Sequence, residues 1–298
     1  MTKQNPNLTL LSNILNDKQD INLDKNYKEQ FDTYLKLAND GDADAQNELG
    51  VIYNNGIGVE KDEKQSIAWL KKSAEQGNEK AQCNLALAYI KGSGVDIDYQ
   101  KAYELYEMAA NKGNAAAQNN LGMMLANGSA VTKNTKEAIK WYQMAADQNH
   151  PGAQDNLGLF YYLGIEVEKN QNKAFDYFTL SAEQGNAKAQ YNLANMYYRG
   201  EVVEKDDNKA FELFEKSSWQ NYGDSQYNLG VIYHLGTTKF ENNQESFIWL
   251  LISMYNGVDA AKTAIEQMKK ENIINPENIA KLEEEAKKRF DSIKNMSD

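Results

Sequence analysis

A dipeptide, Ala-Gln, recurs every 36 residues along this chain. It stands at Ala45-Gln46, Ala81-Gln82, Ala117-Gln118, Ala153-Gln154 and Ala189-Gln190, with Ser225-Gln226 as a sixth copy. A period of this length is typical of stacked helix pairs, because one pair cannot bury its apolar face until its neighbours cover it. The sequence therefore predicts an all-α solenoid of six 36-residue helix-loop-helix repeats with terminal capping helices.

The first helix of each repeat, helix A, is indicated by apolar positions at helical spacing. In all six copies, leucine stands four residues after the first residue of the dipeptide, as Leu49 does after Ala45. Glycine or alanine stands five residues after it, and tyrosine stands eight residues after it in five copies. This i, i+4, i+8 spacing makes one apolar face. Small residues on that face predict a close approach of neighbouring helices.

The second helix, helix B, is bounded by residues that start and stop helices. An Asx residue precedes it in every repeat, as expected of an N-cap: Asp62, Asp98, Asn134, Asn170, Asp206 and Asn242. Residues that tolerate left-handed backbone geometry follow it: Gly77, Gly113, Asn149, Gly185, Asn221 and Gly257. The same pattern predicts a lone helix B over residues 25–40.

The repeats divide the chain into three parts. We predict an N-terminal segment and capping helix over 1–41, six repeats over 42–257 and C-terminal capping helices over 258–298. The repeats are 42–77, 78–113, 114–149, 150–185, 186–221 and 222–257. Residues 8–15 form a short amphipathic pattern. Pro276 opens a charged helix whose Leu282, Ala286 and Phe290 share a face that can cover the last repeat.

The full pattern resembles a known family. The run Ala-Gln-x-Asn-Leu-Gly-x-x-Tyr, followed by Gly-x-Gly-Val, Lys-Ala-x-x-Trp/Tyr and Ala-x-Gln-Gly, resembles the Sel-one-like repeat (SLR) family, relatives of tetratricopeptide repeats. Six copies cover residues 42–257, and the last departs from the pattern at Met254. The resemblance implies a right-handed superhelix that serves as an adaptor in protein complexes, without catalysis of its own.

Charge and cysteine content restrict the partner and the compartment. A net charge of −11 argues against nucleic acid or an anionic membrane and favours a basic protein or peptide. The N-terminus lacks the basic start and apolar run of a signal peptide. The single cysteine, Cys83, cannot form an intramolecular disulfide. We therefore predict a cytoplasmic protein, and we expect a monomer.

No catalytic or metal motif is present in the sequence. It has no P-loop, Gly-x-Ser-x-Gly or His-Glu-x-x-His motif. Asp40, Asp42 and Asp44 imitate a calcium loop, but Ala45 takes the place of its glycine, so we interpret them as first-turn acids. We expect His150 on a loop surface. The chain is thus predicted to be no enzyme and to bind no cofactor or metal.

Function is expected where the repeats differ. By analogy with tetratricopeptide repeats, helix A positions equivalent to 47, 51, 54 and 55 form the inner, concave face. Tyrosine and arginine, which dominate protein interfaces, gather there in the last three repeats. The predicted partner-binding residues are Asp155, Tyr162, Tyr191, Asn195, Tyr198, Arg199, Tyr227 and His234.

Two alternatives remain open for this face. The tyrosines could instead fill space between helices, and the position equivalent to 51 is interpreted as packing helix A on helix A. The preferred function is an adaptor that holds a protein or peptide in the concave groove. The alternative, known for some bacterial members of the family, is an immunity protein that neutralises a cognate, basic toxin.

Overall fold

The computed structural model describes residues 22–236 and 242–297, and all regular structure in these ranges is helical. The helices are α1 (Asn22–Asn39), α2 (Ala43–Asn55), α3 (Glu63–Glu75), α4 (Glu79–Lys91), α5 (Tyr99–Asn111), α6 (Ala115–Asn127), α7 (Thr135–Asp147), α8 (Pro151–Leu163), α9 (Gln171–Glu183), α10 (Ala187–Arg199), α11 (Asp207–Trp219), α12 (Gly223–Leu235), α13 (Asn243–Tyr255), α14 (Asp259–Lys270) and α15 (Pro276–Ser297). The predicted all-α class is confirmed. The amphipathic pattern over 8–15 lies outside the described residues.

The described helices belong to two compact units that divide between residues 133 and 134, with α1 to α6 in the first and α7 to α15 in the second. In the first unit each helix from α1 to α6 packs on the next in chain order. In the second unit the same holds from α7 to α14, and α13 also packs on α15. Packing of each helix pair on its chain neighbours is the arrangement of a helical repeat array, as the sequence predicts. No helix in the described ranges is both long and apolar enough to cross a bilayer.

The predicted starts of helix B are confirmed in all six repeats. Asp62 is representative, because its Oδ1 accepts from the backbone N–H groups of Lys64 and Gln65, both at 3.0 Å. Side-chain caps also start five of the six A helices, namely Asp42, Asn78, Asn114, His150 and Asn186. These caps were not predicted from the sequence. They satisfy backbone donors that a helix leaves open at its N-terminus.

His150 is the clearest correction among these caps. We expected it on a loop surface, but its Nδ1 accepts from the Ala153 N–H at 3.2 Å and the ring is half-buried. Burial lowers the pKa of His150, which keeps the ring neutral and able to accept this bond. The imidazole thus caps the N-terminus of helix A, as asparagine does in the neighbouring repeats.

Helix ends follow the predicted left-handed positions. The residues after helix B have positive φ angles whether they are glycine or asparagine: Gly77 at 84°, Gly113 at 102°, Asn149 at 62°, Gly185 at 88°, Asn221 at 64° and Gly257 at 85°. Glycine and asparagine accept this geometry at low cost. Each turn therefore sends the chain into the next helix A at a defined angle.

The recurring glutamine joins each repeat to the one before it. Gln46 Nε2 donates to the Ala38 carbonyl at 3.0 Å, and Gln46 Oε1 accepts from Gln76 Nε2 at 2.8 Å. Equivalent bonds to a carbonyl eight residues earlier are made by Gln82, Gln118, Gln190 and Gln226. Buried polar groups need such partners. This glutamine column thus serves the fold rather than a ligand.

The C-terminal helix α15 closes the core of the second unit. Its Leu282, Ala286 and Ile293 are buried in the cluster that also contains residues of α13. Arg289 makes two hydrogen bonds to Glu245 of α13, Nη1 to Oε2 at 2.7 Å and Nη2 to Oε1 at 3.1 Å. A terminal repeat needs such a cover because no further repeat buries its apolar face.

Candidate functional site

The predicted binding residues lie on helices α8, α10 and α12 of the second unit. Each of these helices buries its small residues and leucine, so that the positions in question lie beside or opposite the core face. The structure divides the eight predicted residues into a group that serves internal packing and a group that reaches solvent.

Asp155 belongs to the internal group, since the residue is only 2% exposed. Its Oδ1 accepts from Asn192 Nδ2 at 2.8 Å, and its Oδ2 lies 3.6 Å from Lys188 Nζ. Burial raises the pKa of Asp155, while the Lys188 ammonium and the Asn192 hydrogen bond act in the opposite direction. The carboxylate therefore links α8 to α10 and is not available to contact a partner.

Asp155→Asn is expected to raise stability slightly at neutral pH, by up to about 1 kcal/mol. The asparagine oxygen can still accept from Asn192, and Lys188 can turn to water. Because the folded pKa of Asp155 is raised, its ionised form costs free energy above that pKa. The gain should therefore shrink as the pH falls toward the unfolded pKa, about 4. The urea midpoints of the variant and the wild type, measured at neutral pH and near the unfolded pKa, give this difference.

A matched control removes the same charge from an exposed site. Asp176→Asn on α9 changes an exposed carboxylate, so its effect on the urea midpoint should be small at either pH. Destabilisation by Asp155→Asn at neutral pH would contradict the argument, because it would mean that the ion pair with Lys188 outweighs the burial of the charge.

Tyr191 and Asn195 also have internal roles. The Tyr191 ring lies 6.0 Å from the Phe214 ring and 5.2 Å from the Tyr222 ring, measured between centroids. Asn195 Nδ2 donates to the Tyr191 carbonyl at 3.0 Å. Such contacts are those of a ring that fills space between helices. For Tyr191 the space-filling alternative is therefore the better description, and half-buried Tyr227 packs against the same core cluster.

Tyr162 and Arg199 are brought together at the end of helix A in the fourth and fifth repeats. The Tyr162 hydroxyl donates to Glu201 Oε1 at 3.2 Å and accepts from Arg199 Nη1 at 3.4 Å. Arg199 Nη1 also lies 3.6 Å from Glu201 Oε1. Burial raises the pKa of Tyr162, and its hydrogen bond to Glu201 adds to this. These three side chains link the fourth and fifth repeats at the protein surface.

Glu201 is a residue that sequence analysis missed. It lies in the loop after helix A, outside the four positions used to define the predicted face. Tyr198 lies close by, with Lys205 Nζ 5.2 Å from its ring centroid. Loop residues at equivalent places differ among repeats, so their partners follow from the three-dimensional arrangement and not from the period.

Exposed leucines complete the solvent-facing group. Leu163 at the end of α8 is 51% exposed and Leu235 at the end of α12 is 54% exposed. His234 is exposed beside Leu235, with its Nδ1 2.8 Å from Asn243 Oδ1. Leucine is among the residue types that are most often buried. The open ends of these A helices thus combine aliphatic, aromatic and hydrogen-bonding groups.

In the first unit the predicted face is also open. Leu87 and Met123, at the position equivalent to 51, are exposed, whereas Val51 itself is half-buried, so the interpretation that this position packs helix A on helix A stays a prediction. A cavity of about 300 Å³ lies nearby, lined in part by Val51, Asn54 and Lys91. Its lining is mixed, and among the described residues no cluster of histidine, cysteine or acidic side chains could hold a metal ion.

Two grooves lie at equivalent positions of different repeats. One of about 460 Å³ in the first unit is lined by Tyr89, Lys101 and Leu105, and one of about 470 Å³ in the second unit by Tyr197, Lys209 and Leu213. These residues occupy the same three positions of their repeats. The Lys101 and Lys209 ammonium groups lie 5.3 Å and 5.0 Å from the adjacent tyrosine rings. A groove present in both units at equivalent positions is a feature of the repeat itself.

Comparison with known proteins identifies the repeat. The Sel1 repeat model matches residues 43–78, 79–114, 115–150, 151–186, 187–222 and 223–257. No curated protein matches the chain. Among solved structures, a Sel1 repeat protein from Oxalobacter formigenes is 32% identical, with 80% of this chain and 95% of that one covered and a TM-score of 0.71.

Two further structures are similar. The protective antigen c5321 of uropathogenic Escherichia coli, which displays an SLR fold, is 32% identical over 87% of this chain, with a TM-score of 0.64. This chain covers 55% of that protein's length. Immunity protein Pa5087 from Pseudomonas aeruginosa is 22% identical over 84% of this chain and 81% of its own, with a TM-score of 0.50, which shows a shared fold alone. With six matched copies spanning most of its length, the chain belongs to the Sel1 repeat family.

Proposed function

We propose that this protein is a monomeric, non-enzymatic adaptor of the cytoplasm that binds a partner protein or peptide on the helix A face of its second unit. Sel1 repeat proteins generally act as scaffolds for protein interaction, and the proposal assigns the partner to the fourth to sixth repeats. The net charge of −11 favours a basic partner. It disfavours nucleic acid and anionic membranes, which are themselves negatively charged.

One observation carries the proposal, namely the exposed Leu163 and Leu235 at the ends of α8 and α12. Between these helices in the chain lies α10, which contributes half-buried Tyr198 and exposed Arg199. Leucine and tyrosine supply apolar surface that is removed from water on binding, and arginine supplies directed hydrogen bonds. Tyr162 of the fourth repeat and Glu201 in the loop that follows α10 hold Arg199 in place, which lowers the entropic cost of binding through it.

The partner can be identified through this surface. A photo-crosslinking amino acid at Leu163 or Leu235, introduced in the native cell, should capture the partner for mass spectrometry. The same amino acid at exposed Lys64 on α3 of the first unit is the matched position that should not capture it. The captured protein is then purified and its affinity measured directly with the wild-type chain.

Tyr198→Ala combined with Arg199→Ala is expected to weaken binding of the identified partner at least about 30-fold, since each interface anchor typically contributes about 2 kcal/mol. Ile90→Ala with Lys91→Ala changes the same two positions of the second repeat and should leave affinity nearly unchanged. Thermal melting of both variants checks that the fold survives. Full affinity in a folded Tyr198/Arg199 variant would place the partner elsewhere.

The immunity-protein alternative stays a prediction. Its support is the acidic charge, which suits steered association with a basic toxin. The likeness to Pa5087 does not extend beyond the fold. A toxin gene beside the gene for this chain, and growth rescue when both are expressed, would favour it over an adaptor of endogenous complexes.

A further inference from the structure

The loops between helices A and B share one backbone bend with a positive φ angle. Only some repeats have glycine at this position. The loop sequences are GIGVEKD at 56–62, GIEVEKN at 164–170 and GEVVEKD at 200–206. At the third position φ is +68° for Gly58, +56° for Glu166 and +69° for Val202. The backbone geometry is thus retained while glycine is replaced by residues that disfavour it.

In the first two repeats glycine is required at this bend for space. A Cβ on Gly58 would lie 2.7 Å from Tyr27 Cβ, and one on Gly94 would lie 2.5 Å from the Glu63 carbonyl oxygen. In the second unit Glu166 is exposed and Val202 is 44% exposed. A β-branched residue with positive φ is a true outlier, and an exposed one has little packing to offset its strain. Both strained residues therefore present their side chains to solvent.

The residues around the two bends indicate which kind of partner side chain could bind there. Ile165 precedes Glu166 and is exposed, so each loop presents at least one aliphatic side chain to solvent. Loop 164–170 has two glutamates and one lysine, and loop 200–206 has two glutamates and one aspartate against one lysine. Both loops are net negative. Tyr162 at the end of α8 bonds Glu201 at 3.2 Å, which connects the first loop's helix to the second loop.

We propose that loops 164–170 and 200–206 form a docking edge for a partner segment that carries an aliphatic side chain flanked by lysine or arginine. Val202 and Ile165 cover the aliphatic side chain, and Glu166, Glu168 and Glu204 face the cations. Glu166 lies 3.7 Å from Lys136 Nζ in an exposed pair that holds it only weakly, so it can exchange this partner for another cation. Charge complementarity selects this occupant, because the carboxylates would repel an acidic segment, and a purely apolar segment would offer no cation to Glu168 and Glu204. The inference rests on the proposed function as an interaction protein and adds the chemistry and place of one contact.

The test uses Glu166→Gly with Val202→Gly in the full chain. Glycine takes the same φ without strain, so the thermal midpoint should stay level or rise by roughly 2 to 4 °C. The binding probe is a phage-displayed library of random dodecapeptides, selected on the wild-type chain. We expect enriched peptides to pair an aliphatic residue with lysine or arginine, and to bind the double variant at least about tenfold more weakly.

Ala130→Gly is the matched control, because Ala130 takes the same bend with φ of +72° in the first unit. It should leave peptide affinity unchanged. Equal binding of the enriched peptides to wild type and the double variant, enrichment of acidic peptides, or no enrichment would each overturn the proposal. The crosslinked partner distinguishes the docking edge from the proposed function. If the affinity of that partner falls with the Tyr198/Arg199 variant but not with the loop variant, the binding surface on the helix A face is supported and the docking edge is refuted.

Discussion

Replacement of Gly158 by leucine is expected to lower the free energy of unfolding of the second unit by more than about 3 kcal/mol. A Cβ added at Gly158 of α8 would lie 2.6 Å from Cε1 and 2.7 Å from Cδ1 of Phe178. Phe178 is 2% exposed and belongs to a packed core cluster, so its ring has nowhere to move. The helix pair α8 and α9 would have to separate. Urea unfolding followed by circular dichroism measures the loss.

Gly158→Ala provides the graded control. The fifth repeat has Ala194 at the equivalent position, and its helix B has Phe214 where the fourth repeat has Phe178. A single methyl group is thus compatible with a phenylalanine after a small shift, and the alanine variant should lose far less stability than the leucine variant. Equal midpoints for wild type and Gly158→Leu would show that the two helices are not held at this distance.

Arg289→Ala is expected to cost about 2 kcal/mol of stability in the second unit, because it removes two charge-assisted hydrogen bonds to Glu245. The arginine side chain is 18% exposed, and its guanidinium carbon lies 5.3 Å from the Trp249 ring centroid. The change therefore leaves the Glu245 carboxylate partly buried without its main partner. Arg289→Lys should recover only part of the loss, because an ammonium cannot form the paired geometry.

The neighbouring residue supplies the control. Lys288 pairs with Glu284 on the same helix at 2.6 Å, but both side chains are mostly exposed, so Lys288→Ala should leave the urea midpoint unchanged. A double-mutant cycle of Arg289→Ala with Glu245→Gln isolates the coupling between the two side chains. Additive losses in that cycle would refute an energetic role for the pair in attaching α15.

The helices were predictable because their boundaries depend on local chemistry. Asp62 caps α3 through its own backbone neighbours, and Asn149 ends α7 through its own φ angle. Neither depends on distant residues, so the sequence alone predicts them. The cap of α8 by His150 was missed because histidine is not a usual N-cap residue, whereas the other four caps of helix A are Asp or Asn and follow the same local rule.

The site was less predictable because exposure depends on what the next repeat contributes. Asp155 and Tyr162 both lie on α8 at positions assigned to the same face. Lys188 and Asn192 of α10 cover the first, whereas Arg199 and Glu201 hold the second beside solvent. A period in the sequence gives the position of a residue within its own repeat. It does not give the size and charge of the residue that packs against it.

The glutamine column has a consequence for how fast the chain folds. Gln46 bonds a carbonyl eight residues earlier and an amide 30 residues later, and the same separations recur at Gln190 and Gln226. Contacts so close in sequence need little loop closure, and low contact order goes with rapid folding. A pair of neighbouring repeats therefore contains everything needed for nucleation, and additional repeats can lengthen such an array without slowing that step.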